Sequence, residues 1–328
     1  MSPGLLLQSP KRGVIPSSAW MLRKIAIVGA NGFVGRHLLE LVAQKGIGSV
    51  GIVRSEAAAV LVQRLGGTPF RVADLEKDAM MALIPALATC DGLVYTASVS
   101  AGPKARDRTD PAGLVNVLAA CRAAGVPKFI FFSGLGVAHY GMNPHCTNPY
   151  FLAKMAGEVA LFRSSLAATV FRPSYLFGAG DEFLSPLIFR IDTGPVIEIP
   201  GDGRYRLQPV AVRDAARAVL GALEQNEDSP RVIDLVGPEI LSYRTLVGRI
   251  ASIMGRRVEI RERPVDETLA LARESGYFGL RPHDLACLLC DEVSDPGAVE
   301  SLVGGKLEPL DGVIARTVAA LRSSGSQA

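Results

Sequence analysis

A short apolar run that ends in three evenly spaced glycines restricts this chain more than any other feature. Lys24-Ile25-Ala26-Ile27-Val28 leads without a break into Gly29-Ala30-Asn31-Gly32-Phe33-Val34-Gly35. The first run is rich in β-branched residues. Beyond the glycines, Val34, Leu38, Leu41 and Val42 recur at helical spacing, with Arg36, Glu40 and Gln44 on the opposite, water-facing side. The pattern predicts strand, tight turn, helix. Glycine at 29 and 32 allows the backbone to turn and to approach a ligand closely, and at 35 it allows the helix to pack on the strand. Such a turn aims unpaired N–H groups of a helix N-terminus at an anion. The three glycines, Asn31, Phe33 and Val34 are therefore candidates for holding a dinucleotide pyrophosphate. The spacing is GxxGxxG, and no GxxxxGK[ST] string occurs, which argues against a phosphate loop of the ATPase type.

Further strands are read at 49–53, 69–73, 92–95 and 128–132, separated by helical patterns such as 112–124. This alternation predicts an α/β chain with a Rossmann-type, doubly wound parallel sheet. Arg54 follows the second strand, where side-chain charge selects the cofactor. An acid there would bond a ribose 2′-hydroxyl, whereas arginine can pair with a 2′-phosphate. The expectation is NADP(H) over NAD(H), the bland alternative being an arginine that snorkels from a strand end. Asp74, after the third strand, either accepts from the adenine amino group or caps a helix starting near Leu75. Leu75, with Thr96, Ala97 and Ser98 past the fourth strand, completes the expected cofactor contacts.

Tyr150 and Lys154 lie four residues apart in Asn148-Pro149-Tyr150-Phe151-Leu152-Ala153-Lys154, and helical spacing places them on one face. A free phenol titrates near ~10, so acid/base work at neutral pH requires a nearby cation in a water-poor site. A YxxxK string alone is more often a solvated helix face. Together with the glycine turn, Arg54, Asp74, Ser133 after strand five, and Phe171-Arg172-Pro173-Ser174, it resembles the extended or atypical short-chain dehydrogenase/reductases over roughly residues 21 to 260. Within these, Arg172-Pro173-Ser174-Tyr175-Leu176-Phe177-Gly178-Ala179-Gly180-Asp181 and Gln208-Pro209-Val210-Ala211-Val212-Arg213-Asp214 are most similar to the branch holding the nucleotide-binding accessory subunit of respiratory complex I and its bacterial relatives.

The resemblance implies that Tyr150 is the general acid/base, that Lys154 holds the nicotinamide ribose, and that Pro173 lies near the nicotinamide. It implies a cofactor domain over 21–180, joined by segments near 205–235, and a smaller α/β substrate lobe over 181–328. Residues 1–20, with Pro3, Pro10, Pro16 and several serines, read as a flexible extension. One departure bears on catalysis. Gly134 stands where extended members carry the serine or threonine that helps tyrosine hold the substrate oxygen, which leaves Ser133, His139 or Tyr140 as replacements. Loss of such a donor costs a factor of about 10²–10³ in rate.

The function expected is an NADP(H)-dependent oxidoreductase acting on a carbonyl or secondary alcohol. The rivals are a non-catalytic NADP(H)-binding accessory or redox sensor and a sugar-nucleotide epimerase or dehydratase. The substrate is a small molecule, either apolar (quinone, isoprenoid or steroid-like) or a sugar nucleotide. Oligomeric state is not readable. A net charge of +3 with dispersed basic residues argues against nucleic acid. Apolar runs fall short of the ~20 residues of a membrane helix, and a cytoplasmic protein is expected. Five cysteines without regular spacing suggest a reducing compartment, with Cys287 and Cys290 packed as thiols and no metal site. His145 and Cys146, just before Tyr150, are loop residues with a smaller prospect of touching substrate.

Overall fold

A computed structural model describes residues 21–77, 79–97, 111–142, 149–225, 230–274 and 282–325. The extension at 1–20, Ser98, His145 and Cys146 lie outside the described residues. The sheet begins with β1 (Lys24–Val28), β2 (Gly48–Val53), β3 (Thr68–Arg71), β4 (Gly92–Tyr95), β5 (Lys128–Phe132) and β6 (Ala167–Pro173), and a seventh strand, Arg231–Leu235, returns late in the chain. Its order is Arg231–Leu235, β6, β5, β4, β1, β2, β3, and every pairing is parallel. The order reverses between β1 and β4. In such sheets the crevice outside the carboxyl ends of the strands takes the ligand.

Helices α1 (Phe33–Gln44), α2 (Glu56–Arg64), α3 (Ala79–Leu87), α4 (Pro111–Ala124), α5 (Pro149–Phe162), α6 (Leu184–Thr193), α7 (Val212–Glu224), α8 (Tyr243–Ile253), α9 (Val265–Glu274), α10 (Pro282–Leu288), α11 (Gly297–Val303) and α12 (Leu310–Gly325) follow in chain order. One sheet face is covered by Leu38 and Val42 of α1, Val62 of α2, Ala215 and Val219 of α7, and Val299 of α11. The other is covered by Leu83 of α3, Val117 and Cys121 of α4, and Leu161 of α5. Burial on both faces explains why the strands are near-continuous apolar runs instead of alternating ones. A separate core gathers Leu187, Ile197, Leu246, Leu285 and Ile314 from α6, the strand Val196–Pro200, α8, α10 and α12. The Val196–Pro200 strand pairs in parallel with Glu259–Arg263, and Arg206–Leu207 pairs antiparallel with Leu241–Ser242. No described helix is long and apolar enough to cross a membrane.

Several expectations need adjustment. The region after Asp74 is not helical, since α3 starts at Ala79. Asp74 Oδ1 instead accepts from Glu76 N at 2.9 Å, closing a local turn, and the Asn116 amide donates to the carbonyls of Leu75 and Glu76 at 2.9 Å each. Arg36 does not face open water, because its side chain is half-buried against Gly180. Cys90 and Cys121 are buried thiols, but Cys290 is disulfide-bonded, so the thiol reading fails for Cys290. Arg206 forms an exposed pair with Asp291 at 2.8 Å, while Gln208 is buried and ties Gly237 O to Ser294 N at 2.8 Å each.

Candidate active site

The glycine turn is built from backbone. Gly29 has φ +82, a conformation side chains rarely adopt, and an added Cβ would lie 2.8 Å from Ala97 N. At Gly35 an added Cβ would fall 2.4 Å from Gly29 O, and at Gly32 it would fall 3.1 Å from the same atom. Thr96 Oγ1 donates to Val28 O at 2.9 Å and Thr96 N to the same carbonyl at 3.0 Å. Thr96 and Ala97 thus lock the end of β4 against the turn, so their role is first architectural. Gly32 caps α1 without a side-chain hydrogen bond, and the first turn of α1 holds no acid. The first N–H groups of α1 are therefore left for an anion. This cradle fits a dinucleotide pyrophosphate. Asn31 is exposed beside it, and Phe33 and Val34 are half-buried.

Arg54 is exposed at the end of β2. Ser55 next to it accepts from Ala58 N at 3.3 Å and caps α2. Nearby, Arg71 is occupied by Glu56 at 2.6 Å. Asp74 is ion-paired with Lys77 at 3.7 Å, and Leu75 is half-buried beside it.

At the other end of the crevice, α5 carries Tyr150 and Lys154 on one face. Lys154 is buried, and its Nζ donates to Phe132 O, the last carbonyl of β5, at 2.8 Å. The ammonium lies 5.5 Å from the centre of the Tyr150 ring and 5.3 Å from that of Phe131. Desolvation by this apolar surrounding pushes the lysine pKa down to about 8. One of the three ammonium donors meets Phe132 O, leaving two for a ligand.

Gly134 faces this pair, since an added Cβ would lie 3.5 Å from Tyr150 Cε1 and 3.2 Å from Phe151 Cε1. Ser133 N donates to Phe171 O at 2.7 Å, which ties β5 to β6, and its hydroxyl is sealed from solvent with no hydrogen-bond partner. His139, the last residue of the 3₁₀ turn Leu135–His139, is exposed, and Tyr140, which follows it, is half-buried. Pro173 closes β6 and pairs with Leu235. The structure therefore assembles Tyr150, Lys154 and Gly134 directly, with Ser133 beside them on the β5 end.

Two partners escaped the sequence reading. Glu158, one turn beyond Lys154, takes a bidentate contact from Arg172 of β6, with Nε at 2.9 Å and Nη2 at 2.6 Å. Its position four residues past Lys154 was a usable signal. Glu292 is 5% exposed, its carboxyl has no hydrogen-bond or ion-pair partner among the described residues, and burial raises its pKa to about 8. Its backbone carbonyl accepts from Ser174 Oγ at 3.1 Å, beside the end of β6. Nothing local in the sequence marks it.

Comparison with known proteins bears on the family and the fold. The model of the NAD dependent epimerase/dehydratase family matches residues 25–235. A dTDP-4-dehydro-6-deoxy-D-allose reductase from a Streptomyces species is 26% identical over 312 residues, covering 81% of this chain and 94% of that protein. Subunit 9 of the NADH dehydrogenase [ubiquinone] 1 alpha subcomplex from Arabidopsis thaliana is 24% identical over 226 residues, covering 67% of this chain and 55% of that protein. Among solved structures, a UDP-glucose 4-epimerase from Thermotoga maritima, determined with UDP-glucose, superposes with a TM-score of 0.72 at 21% identity, covering 92% of this chain and 99% of that one. That last likeness is one of fold.

Proposed function

The chain belongs to the NAD dependent epimerase/dehydratase family, and from that premise we propose that it is an oxidoreductase of a carbonyl or secondary alcohol carbon that prefers NADP(H) to NAD(H). The observation that carries this reading is the buried Lys154 ammonium, 5.5 Å from the Tyr150 ring and drawn toward the end of β5. When bound, the dinucleotide supplies the hydride donor or acceptor. The chain's own residues do the rest. The turn at Gly29, Gly32 and Gly35 and the first N–H groups of α1 hold the pyrophosphate. Arg54 pairs with a 2′-phosphate, Asp74 and Leu75 border the adenine, and Pro173 borders the reacting ring. Lys154 uses its two remaining donors on the ribose hydroxyls and stabilises the phenolate form of Tyr150. Tyr150 then gives a proton to the substrate oxygen or takes one from it. Ser133, next to Gly134 in the chain, supplies the hydroxyl that Gly134 lacks.

Sugar nucleotides are the first substrate class to examine, given the allose reductase relative, with quinones and other apolar ketones second. Gly134 favours one further reading, in which the chain binds NADP(H) without turnover. Fluorescence titration with NADPH and NADH, using the natural chain and Arg54→Ala, tests the cofactor assignment. NADPH should bind about tenfold more tightly than NADH, and the substitution should remove that margin. Equal affinities would overturn the role of Arg54. Adding ketones, quinones and nucleotide sugars to the NADPH complex then tests turnover. Tyr150→Phe should lower it by about 10²–10⁴-fold while leaving cofactor affinity within about twofold. Tight NADPH binding with no oxidation across that panel would favour the binding-only reading.

A further inference from the structure

Lys154 and Glu158 stand four residues apart on α5, and both are more than nine-tenths buried. Opposite charges at that spacing pair readily on a helix, and burial strengthens the attraction. Here they do not pair. Lys154 Nζ reaches back to Phe132 O at 2.8 Å, and both carboxylate oxygens of Glu158 are taken by Arg172 at 2.9 and 2.6 Å. The guanidinium fork matches a carboxylate in a way an ammonium cannot, so Arg172 wins the competition. Asp234, on the strand next to β6, adds to the field that holds Arg172 charged.

We infer that Arg172 is a positioning residue for Lys154: by occupying Glu158 from β6 it blocks the ion pair α5 would otherwise form, and keeps the ammonium at the mouth of the crevice. The inference rests on the reading of Lys154 as the ribose-holding residue. The groups facing that ammonium are few. They are the Tyr150 ring on its own helix and, on β5, Phe132 O and the Phe131 ring, while Glu158, one turn further along α5, is turned to Arg172 of β6. No charged group offsets the desolvation that lowers the lysine pKa. Without Arg172, Glu158 would be an uncompensated buried carboxylate with Lys154 one turn away on the same helix. Capture of the ammonium would withdraw it from the cofactor and raise its pKa.

The test is the pH dependence of NADPH affinity, followed by fluorescence in the natural chain, Arg172→Met, the double variant Arg172→Met with Glu158→Leu, and Lys154→Ala. In the natural chain affinity should fall as pH rises through about 8, where Lys154 loses its proton. Arg172→Met should weaken binding about tenfold and move that midpoint to higher pH. The double variant has no free carboxylate and no unpaired guanidinium, so it should recover affinity and midpoint to within about twofold of the natural values. Equal loss in the single and double variants would overturn the inference and leave Arg172 as scaffolding, as would an unchanged midpoint in Arg172→Met. If Arg172→Met does not fold, recovery of the natural midpoint must be read from Arg172→Lys, which keeps the charge but offers no fork and should show an intermediate shift. A Lys154→Ala chain that binds NADPH as well as the natural one would remove the ribose reading itself, a failure distinct from the others.

Discussion

The turn after β1 and the inner face of α5 both present polar groups against a dry interior, but they are made of different materials. The turn is backbone, fixed by glycines whose missing side chains leave no space to spare, as the 2.4 Å approach at Gly35 shows. The α5 face is a set of charged and hydroxyl side chains whose strength depends on who else is nearby. Lys154 bonds a carbonyl because Glu158 is occupied by Arg172. A backbone site fails by steric exclusion, set by how closely the chain approaches. A side-chain site shifts by degrees, through protonation and partner exchange.

The sharpest way to break the comparison is Gly35→Ala. Its new methyl would collide with the Gly29 carbonyl and with Ala30, which are backbone and cannot rotate away. We expect a loss of about 3 kcal/mol of stability, seen as a lower Tm, and no measurable NADPH fluorescence enhancement. Gly32→Ala, at 3.1 Å from the same oxygen, should lose much less of both. Similar behaviour of the two would mean the turn is more compliant than its contacts indicate.

Ser133→Ala separates the two kinds of site next. The Ser133 hydroxyl is sealed and unpartnered, so its removal should leave Tm unchanged or slightly higher, since an unsatisfied buried group costs stability. Turnover should nonetheless drop by about 10²-fold if that hydroxyl stands in for the one Gly134 lacks. Reduced Tm with turnover intact would place Ser133 in the scaffold and not in the chemistry.

How much of this was readable from the chain follows the same division. β1, β4 and β5 fall where the apolar runs put them, and the glycine turn lies between β1 and α1 as spacing requires. Tyr150 and Lys154 share a face because helical periodicity is local information. The sequence reading erred where a distant partner decided the outcome. Of the two roles open to Asp74, the helix cap fails: Asn116, from α4, pins the following carbonyls, and residues 75–77 are not helical. Arg36 looked solvent-facing because its helix has a polar side, yet the loop at Gly180 comes over it. Arg172 and Glu158 are separated by 14 residues, and only the pairing of β6 beside β5 brings them under α5.

Glu292 offers a last test, because it probes a side chain that has no partner to exchange among the described residues. Its pKa rises from the ordinary 4.5 to about 8 through burial alone. The folded chain therefore keeps this proton up to about pH 8, while the unfolded chain releases it near 4.5. Across that window folding retains up to one proton that the unfolded state gives up, so stability must fall as pH rises, and the contribution is constant below the lower value. Glu292→Gln carries a neutral group of the same shape at every pH. It should melt like the natural chain at pH 4 and be more stable at pH 9, with the difference growing through the window. A difference that stays flat with pH would mean that the carboxyl is already ionised in the folded chain and compensated. Glu292 would then belong with Glu158, whose charge is matched by a partner, and not with the groups set by burial alone.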